Sequence, residues 1–204
     1  MVYLKIVPPF IRALLPSCLT WRIRTDKKIV YLTFDDGPVP EVTPWVIKIL
    51  EDYDIKATFF CVGENVRKYP DIFKSLLDGG HKVGNHTFNH VKAWNVPLKS
   101  YLDDVEQCNR LTNSRLFRPP HGQITRKISR ILAENYSIIM WSVLSGDFDL
   151  KMKPEACLKY TSTHTREGSI VVFHDSIKAM PGLTYTLPKY IEYCRKRGFE
   201  FRTL

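Results

Sequence analysis

No two of the five cysteines (Cys18, Cys61, Cys108, Cys157 and Cys194) lie close together in this 204-residue chain. That spacing excludes a zinc knuckle or a redox dithiol, and the odd number speaks against a disulfide framework. They read as buried thiols in a reducing compartment. Long apolar runs are missing as well. The N-terminal stretch MVYLKIVPPFIRALLPSCLTW is apolar but broken by Lys5, Pro8, Pro9, Arg12 and Pro16. It holds no h-region of proper length and no A-x-A site, so a cleaved signal peptide is not expected. It is also too short and interrupted to span a bilayer. Internal repeats, low-complexity tracts and linker-like runs are absent.

What is present suits one globular domain, with 44% hydrophobic and 25% charged residues. The net charge of +9 is spread along the chain, and segments 22–28 and 195–197 read as solvated faces. Nothing interleaves aromatics with bases as a nucleic-acid groove does, so no nucleic acid is expected, and no protein partner is indicated. Residues 1–27 read as an N-terminal arm packed on or beside the domain. The alternative for residues 1–25 is contact with a membrane surface. Residues 28–204 form the domain.

Along that domain, strand-like runs alternate with helix-like ones. The strand-like runs cover 28–34, 56–63, 81–87, 115–122, 136–143, 168–175 and 199–204. Amphipathic segments over 41–53, 64–79, 98–112, 125–135, 154–166 and 183–197 connect them. Seven runs joined by six helical connections imply right-handed crossovers and a parallel sheet. Seven strands nearly suffice to close, so a (β/α) barrel competes with an open doubly wound sheet.

The run YLTFDDGP then poses a question. Tyr31, Leu32 and Phe34 end a buried strand, Gly37 and Pro38 break it, and two aspartates surface between them. Like charges in one site disfavour joint ionisation, so Asp35 and Asp36 call for a cation or a second partner. Polar residues recur at the same end of later strands: His86, His90, Arg118, Asp147 and His174. In parallel barrels that end carries the active site. His86 and His90, as H-x-x-x-H, sit on one side of a helical turn or meet in a loop. With Asp36 they make a His, His and carboxylate ligand set that leaves positions open for water and substrate.

On these residues the chain resembles the polysaccharide deacetylases of carbohydrate esterase family 4, which share the NodB homology domain. TFDDGP, HTFNH, RPPHG, SGDFD and IVVFHD match five motifs in order, from about Lys28 to Leu204. The resemblance implies an α/β fold, a distorted (β/α)7 barrel of the NodB type. It implies Asp35 as catalytic base and Asp36, His86 and His90 as ligands of one divalent metal ion, zinc first and cobalt or nickel as alternatives. Arg118 would hold the base, the backbone N–H of His121 would hold the oxyanion, and His174, tuned by Asp147, would be the general acid. The implied reaction removes N-acetyl groups from glycans containing N-acetylglucosamine, such as peptidoglycan or chitooligosaccharides. Pro119, Val172, Phe148 and Trp94 are the implied or candidate substrate contacts.

Three positions depart from the family pattern. His121 stands where the third motif usually carries Tyr, and Leu144 and Phe148 replace the Asp and Trp that bound the fourth. Two other functions stay open: an amidase on a small non-sugar amide, and a non-catalytic carbohydrate-binding relative. The missing signal peptide and odd cysteine count point to the cytoplasm, whereas the implied substrate class points to the cell envelope.

Overall fold

The computed structural model describes residues 14–204. Their strands are β1 (Leu19–Thr20), β2 (Ile29–Asp35), β3 (Thr58–Cys61), β4 (Lys82–Asn85), β5 (Leu116–Phe117), β6 (Ser137–Ile139), β7 (Val143–Leu144), β8 (Ser169–His174) and β9 (Glu200–Arg202). They form one sheet in the order β1-β6-β5-β4-β3-β2-β8-β7, with β9 also pairing β2, and every ladder is parallel. Parallel neighbours need crossovers, supplied by α1 (Val42–Asp52), α2 (Gly63–Lys68), α3 (Pro70–Asp78), α4 (Leu98–Thr112), α5 (Arg126–Leu132), α6 (Pro154–His164) and α7 (Met180–Lys196). Only Met140, Trp141 and Ser142 separate β6 from β7, yet those strands belong to opposite ends of the path. The Met140 N–H donates to Thr20 at one edge, and the Ser142 N–H donates to Ile170 at the other. One chain segment therefore joins both edges and rolls the sheet into a distorted barrel.

Periodicity explains which faces are buried. In α1, Val42, Val46 and Leu50 recur every four residues and are fully buried, as are Leu183, Leu187, Tyr190 and Ile191 of α7. Both helices cover β2, β3 and β8, where Phe34 stacks on Phe59 at 4.9 Å. A second cluster packs α4 and α5 on β5 and β6 through Tyr101, Val105, Ile128, Phe117 and Ile138. β2 is buried on both faces over its last four residues, as expected of a central parallel strand. No helix among the described residues is long and apolar enough to cross a membrane. No disulfide joins the five cysteines, and four of them are buried.

The parallel barrel matches the sequence expectation, with local differences. The 64–79 helix breaks at Tyr69 (φ −129°, ψ 59°), because Pro70 disfavours helical backbone in the residue before it. Run 136–143 becomes β6 and β7, bent at Met140–Ser142 to change edges. Run 115–122 keeps only two strand residues, since Pro119 and Pro120 cannot donate to a ladder. The last helix starts at Met180 rather than 183. Residues 1–13 of the expected arm lie outside the described residues. Residues 14–27 add β1 to the sheet edge beside β6, with Trp21 edge-on to Trp141 at 6.4 Å.

Candidate active site

Strand register brings the polar residues together. On adjacent parallel strands Asp35 pairs with His174, so two strand ends only about 4.8 Å apart carry a carboxylate and an imidazole. Asn85 pairs with Phe117, which sets the next residues, His86 and Arg118, side by side. No helix forms over 86–97, so the two histidines of HTFNH meet in a loop. His90 Nε2 lies 3.2 Å from Asp36 Oδ1, and His86 Nε2 lies 3.8 Å from it. One donor atom from each of Asp36, His86 and His90 falls within 4.8 Å of the others. Trp94, in the same loop, is exposed.

That trio fits a divalent cation by chemistry as well as distance. His86 Nδ1 sits 2.8 Å from the Arg118 carbonyl, which can only accept, so Nδ1 carries the proton and the Nε2 lone pair faces Asp36. Burial lowers the His86 pKa to about 4, keeping the ring neutral as a ligand must be. Burial works to raise the Asp36 carboxyl, but hydrogen bonding to His90 and the neighbouring histidines bring it well below the usual range. The ring of His121 is 4.6 Å from that of His90; although the residue is exposed, desolvation of the ring within the cluster, with His90 and Lys92 nearby, pushes its pKa down to about 4. His121 also has φ 59°. Among the described residues, four of the seven non-glycine residues at positive φ are Asp36, Thr87, His90 and His121. Such backbone persists only where surrounding contacts enforce it, and it clusters at functional sites.

Two pairs flank the trio. Arg118, fully buried, donates from Nη1 to Asp35 Oδ1 at 2.6 Å and to Thr33 Oγ1 at 2.8 Å. Its Nε reaches the Ile139 carbonyl at 3.2 Å, its Nη2 the Met140 carbonyl at 3.1 Å, and it stacks 4.0 Å over Phe60. The guanidinium is thus locked, and its charge-assisted bond fixes the Asp35 carboxylate. On the other side, His174 Nδ1 lies 2.8 Å from Asp147 Oδ1, while the His174 N–H donates to Asp147 Oδ2 at 2.8 Å. Ser145 Oγ donates to the same carboxylate at 2.8 Å. Burial alone would lower the His174 pKa, but Asp147, with help from Asp36 and Asp35, outweighs it and raises the value to about 9. Phe148 meets the His174 ring edge-on at 4.7 Å. Pro119 and Val172 are buried, Val172 in the cluster with Leu144 and Trp141, so neither side chain forms an open wall.

Sequence reading missed the residues that hold this arrangement. Asp104 of α4 accepts from the Phe88 N–H (2.7 Å), the Asn89 N–H (3.0 Å) and Asn89 Nδ2 (2.5 Å), pinning the histidine loop. An acid on the apolar stripe of Tyr101, Val105 and Cys108 was the available signal. Asn65 Nδ2 donates to the Asp36 carbonyl at 2.8 Å, and nothing in its sequence neighbourhood marks it. His81 and His164 stay away from the site; His81 accepts the Ala57 N–H at the other end of the sheet.

A family model, polysaccharide deacetylase, matches residues 22–136, more than half of the chain. The chain belongs to the polysaccharide deacetylases. This deacetylase is 31% identical over 193 residues to a peptidoglycan-N-acetylglucosamine deacetylase of Bacillus cereus, covering 91% of each. A chitooligosaccharide deacetylase of Azorhizobium caulinodans is 31% identical over 162 residues, 76% of this chain and 77% of that one. Among solved structures, the Bc1960 peptidoglycan N-acetylglucosamine deacetylase superposes with a TM-score of 0.86 at 29% identity, over 97% of this chain and 95% of the other. BA3943 of Bacillus anthracis, a pseudoenzyme of carbohydrate esterase family 4, superposes with a TM-score of 0.83 at 26% identity, over 93% and 68%. The fold therefore tolerates loss of turnover, and the side chains of this deacetylase have to carry its chemistry.

Proposed function

We propose that this deacetylase is a metal-dependent hydrolase that removes N-acetyl groups from glycans containing N-acetylglucosamine, peptidoglycan or chitooligosaccharide-like. The observation that carries the proposal is the paired register of Asp35 and His174 beside the Asp36, His86 and His90 trio. That neighbouring placement supports a base and an acid acting on one scissile amide. A divalent ion, zinc in the first instance, would polarise the acetyl carbonyl and lower the pKa of a water when held by the trio. Asp35, oriented by Arg118, takes a proton from the attacking water as its oxygen adds to the carbonyl carbon. The His121 backbone N–H is the proposed donor to the resulting oxyanion. His174 Nε2 then delivers its proton to the departing nitrogen as the C–N bond breaks, leaving acetate and a free amine. Relatives named for peptidoglycan and chitooligosaccharide deacetylation support the substrate class.

Acetate release from peptidoglycan fragments and from chitooligosaccharides, with and without chelator, tests this. Acetate from neither glycan by the zinc-loaded protein would overturn it and leave a non-sugar amide or a binding role.

The acid has its own test. Against burial, His174 is raised above the ordinary imidazole range, chiefly by Asp147, so it is protonated at neutral pH, and loss of its proton should appear as an alkaline limb of kcat/KM. Asp147→Asn removes the largest of the charges that raise it and leaves burial opposed only by the smaller pull of Asp36 and Asp35, so the limb should move to lower pH. The same pair stabilises the fold fully below the unfolded value of 6.5, and that contribution is lost as pH rises through about 9. An alkaline limb unmoved by Asp147→Asn would return His174 to a structural role.

A further inference from the structure

The carboxylate of Asp175, one residue past His174, faces away from the acid and into the turn that follows Asp35. It is buried at 1% exposure. Its Oδ1 accepts the Gly37 N–H at 3.1 Å, and its Oδ2 accepts the Thr43 hydroxyl at 2.6 Å. Its own N–H donates to the Asp35 carbonyl at 3.1 Å. Thr43 Oγ1 in turn accepts the Val39 N–H at 2.7 Å, so the clamp spans the whole connection from β2 into α1. Asp36, at φ 85°, is bracketed by the two clamped residues.

Gly37 shows how closely the clamp fits. A Cβ at that position would lie 1.9 Å from Asp175 Oδ2 and 2.5 Å from its Cγ. Gly37 itself is not at positive φ among the described residues, so the turn needs glycine there for space rather than for backbone freedom. The carboxylate occupies the volume that any side chain would claim.

We propose that Asp175 is a positioning residue for the cation site: it holds the Asp35–Asp36–Gly37 turn so that Asp36 presents its carboxylate to the ion. The inference rests on the proposed function above, because it needs Asp36, His86 and His90 to bind a divalent cation. By fixing the turn to the β8 end, Asp175 also ties the ligand to the strand that carries His174. Partners one step behind a metal ligand commonly control about 10–100-fold of metal affinity.

The test is competition of Zn²⁺ between the full chain and a chromogenic chelator, supported by the visible absorption of the Co²⁺-loaded protein. Asp175→Ala should weaken Zn²⁺ affinity by about 10–100-fold and alter the Co²⁺ bands. Asp175→Asn, which can still accept the Gly37 N–H, should recover part of the loss. Gly37→Ala should weaken affinity in the parent but cost little more in the Asp175→Ala background, where the clash is gone. If Asp175→Ala fails to fold by circular dichroism, Thr43→Val, which removes one donor to the clamp, should show a smaller loss in the same direction. Parental Zn²⁺ affinity in folded Asp175→Ala, or in Thr43→Val where that variant stands in, would overturn the inference. Absence of Zn²⁺ binding by the parent chain would overturn the cation site itself, and this inference with it.

Discussion

Asp35→Asn should keep the divalent ion and lose about 10²–10⁴-fold in turnover, because an amide cannot take the proton of the attacking water. The substitution is nearly isosteric, and an asparagine oxygen can still accept from Arg118 Nη1. It nonetheless leaves the fully buried guanidinium without a counter-charge, a class of change that costs about 3–5 kcal/mol. Thr33 Oγ1 and the carbonyls of Ile139 and Met140 remain as acceptors and limit that cost. The measurement is therefore turnover with zinc content and melting temperature read on the same sample. A folded, zinc-loaded Asp35→Asn protein with near-parental turnover would move the base elsewhere, with Asp147 the next carboxylate to examine.

His86→Ala combined with His90→Ala should release the ion and bring deacetylation to background. Two of the three proposed ligands are then gone, and Asp36 alone would not hold the metal against a chelator. The two positions differ in what else they do. His86 is buried and satisfies the Arg118 carbonyl, so its loss leaves an unpaired buried acceptor costing about 1–3 kcal/mol. His90 is about a third exposed, so His90→Ala alone should lower metal affinity with little change in melting temperature. Elemental analysis after dialysis reads the outcome. A double variant that retains parental metal content would show that Asp36, His86 and His90 are not the ligands.

The strand ends were legible because a parallel sheet sets every strand's C-terminus on one face. Asp35, His86, Arg118, Asp147 and His174 needed only that rule to be placed together. The motif order placed the family. The segment that closes the barrel was not legible: YSIIMWSV reads as one apolar run, and its bend at Met140–Ser142 is dictated by two edges far apart in sequence. Thr33 and Asn65 escaped notice because what matters is the partner each reaches across the barrel, Arg118 and the Asp36 carbonyl. Gly37 was read as turn chemistry, which is local, while its actual constraint comes from Asp175, 138 positions away. The positive φ of Asp36, Thr87, His90 and His121 belongs to the same class, since tertiary contacts enforce backbone that no propensity favours.

The segment that joins the two sheet edges also decides when the site comes into being. Arg118 reaches Asp35 across 83 positions and Met140 across 22, and the Met140 carbonyl is in place only once the edges have met. Contacts of such sequence separation form slowly, because loop closure has to precede the reward. Helices α1 and α4, built from local bonds, can form well before that. A refolding chain should thus regain helical signal first and hydrolytic activity last, making turnover a reporter of ring closure in the folding of this barrel.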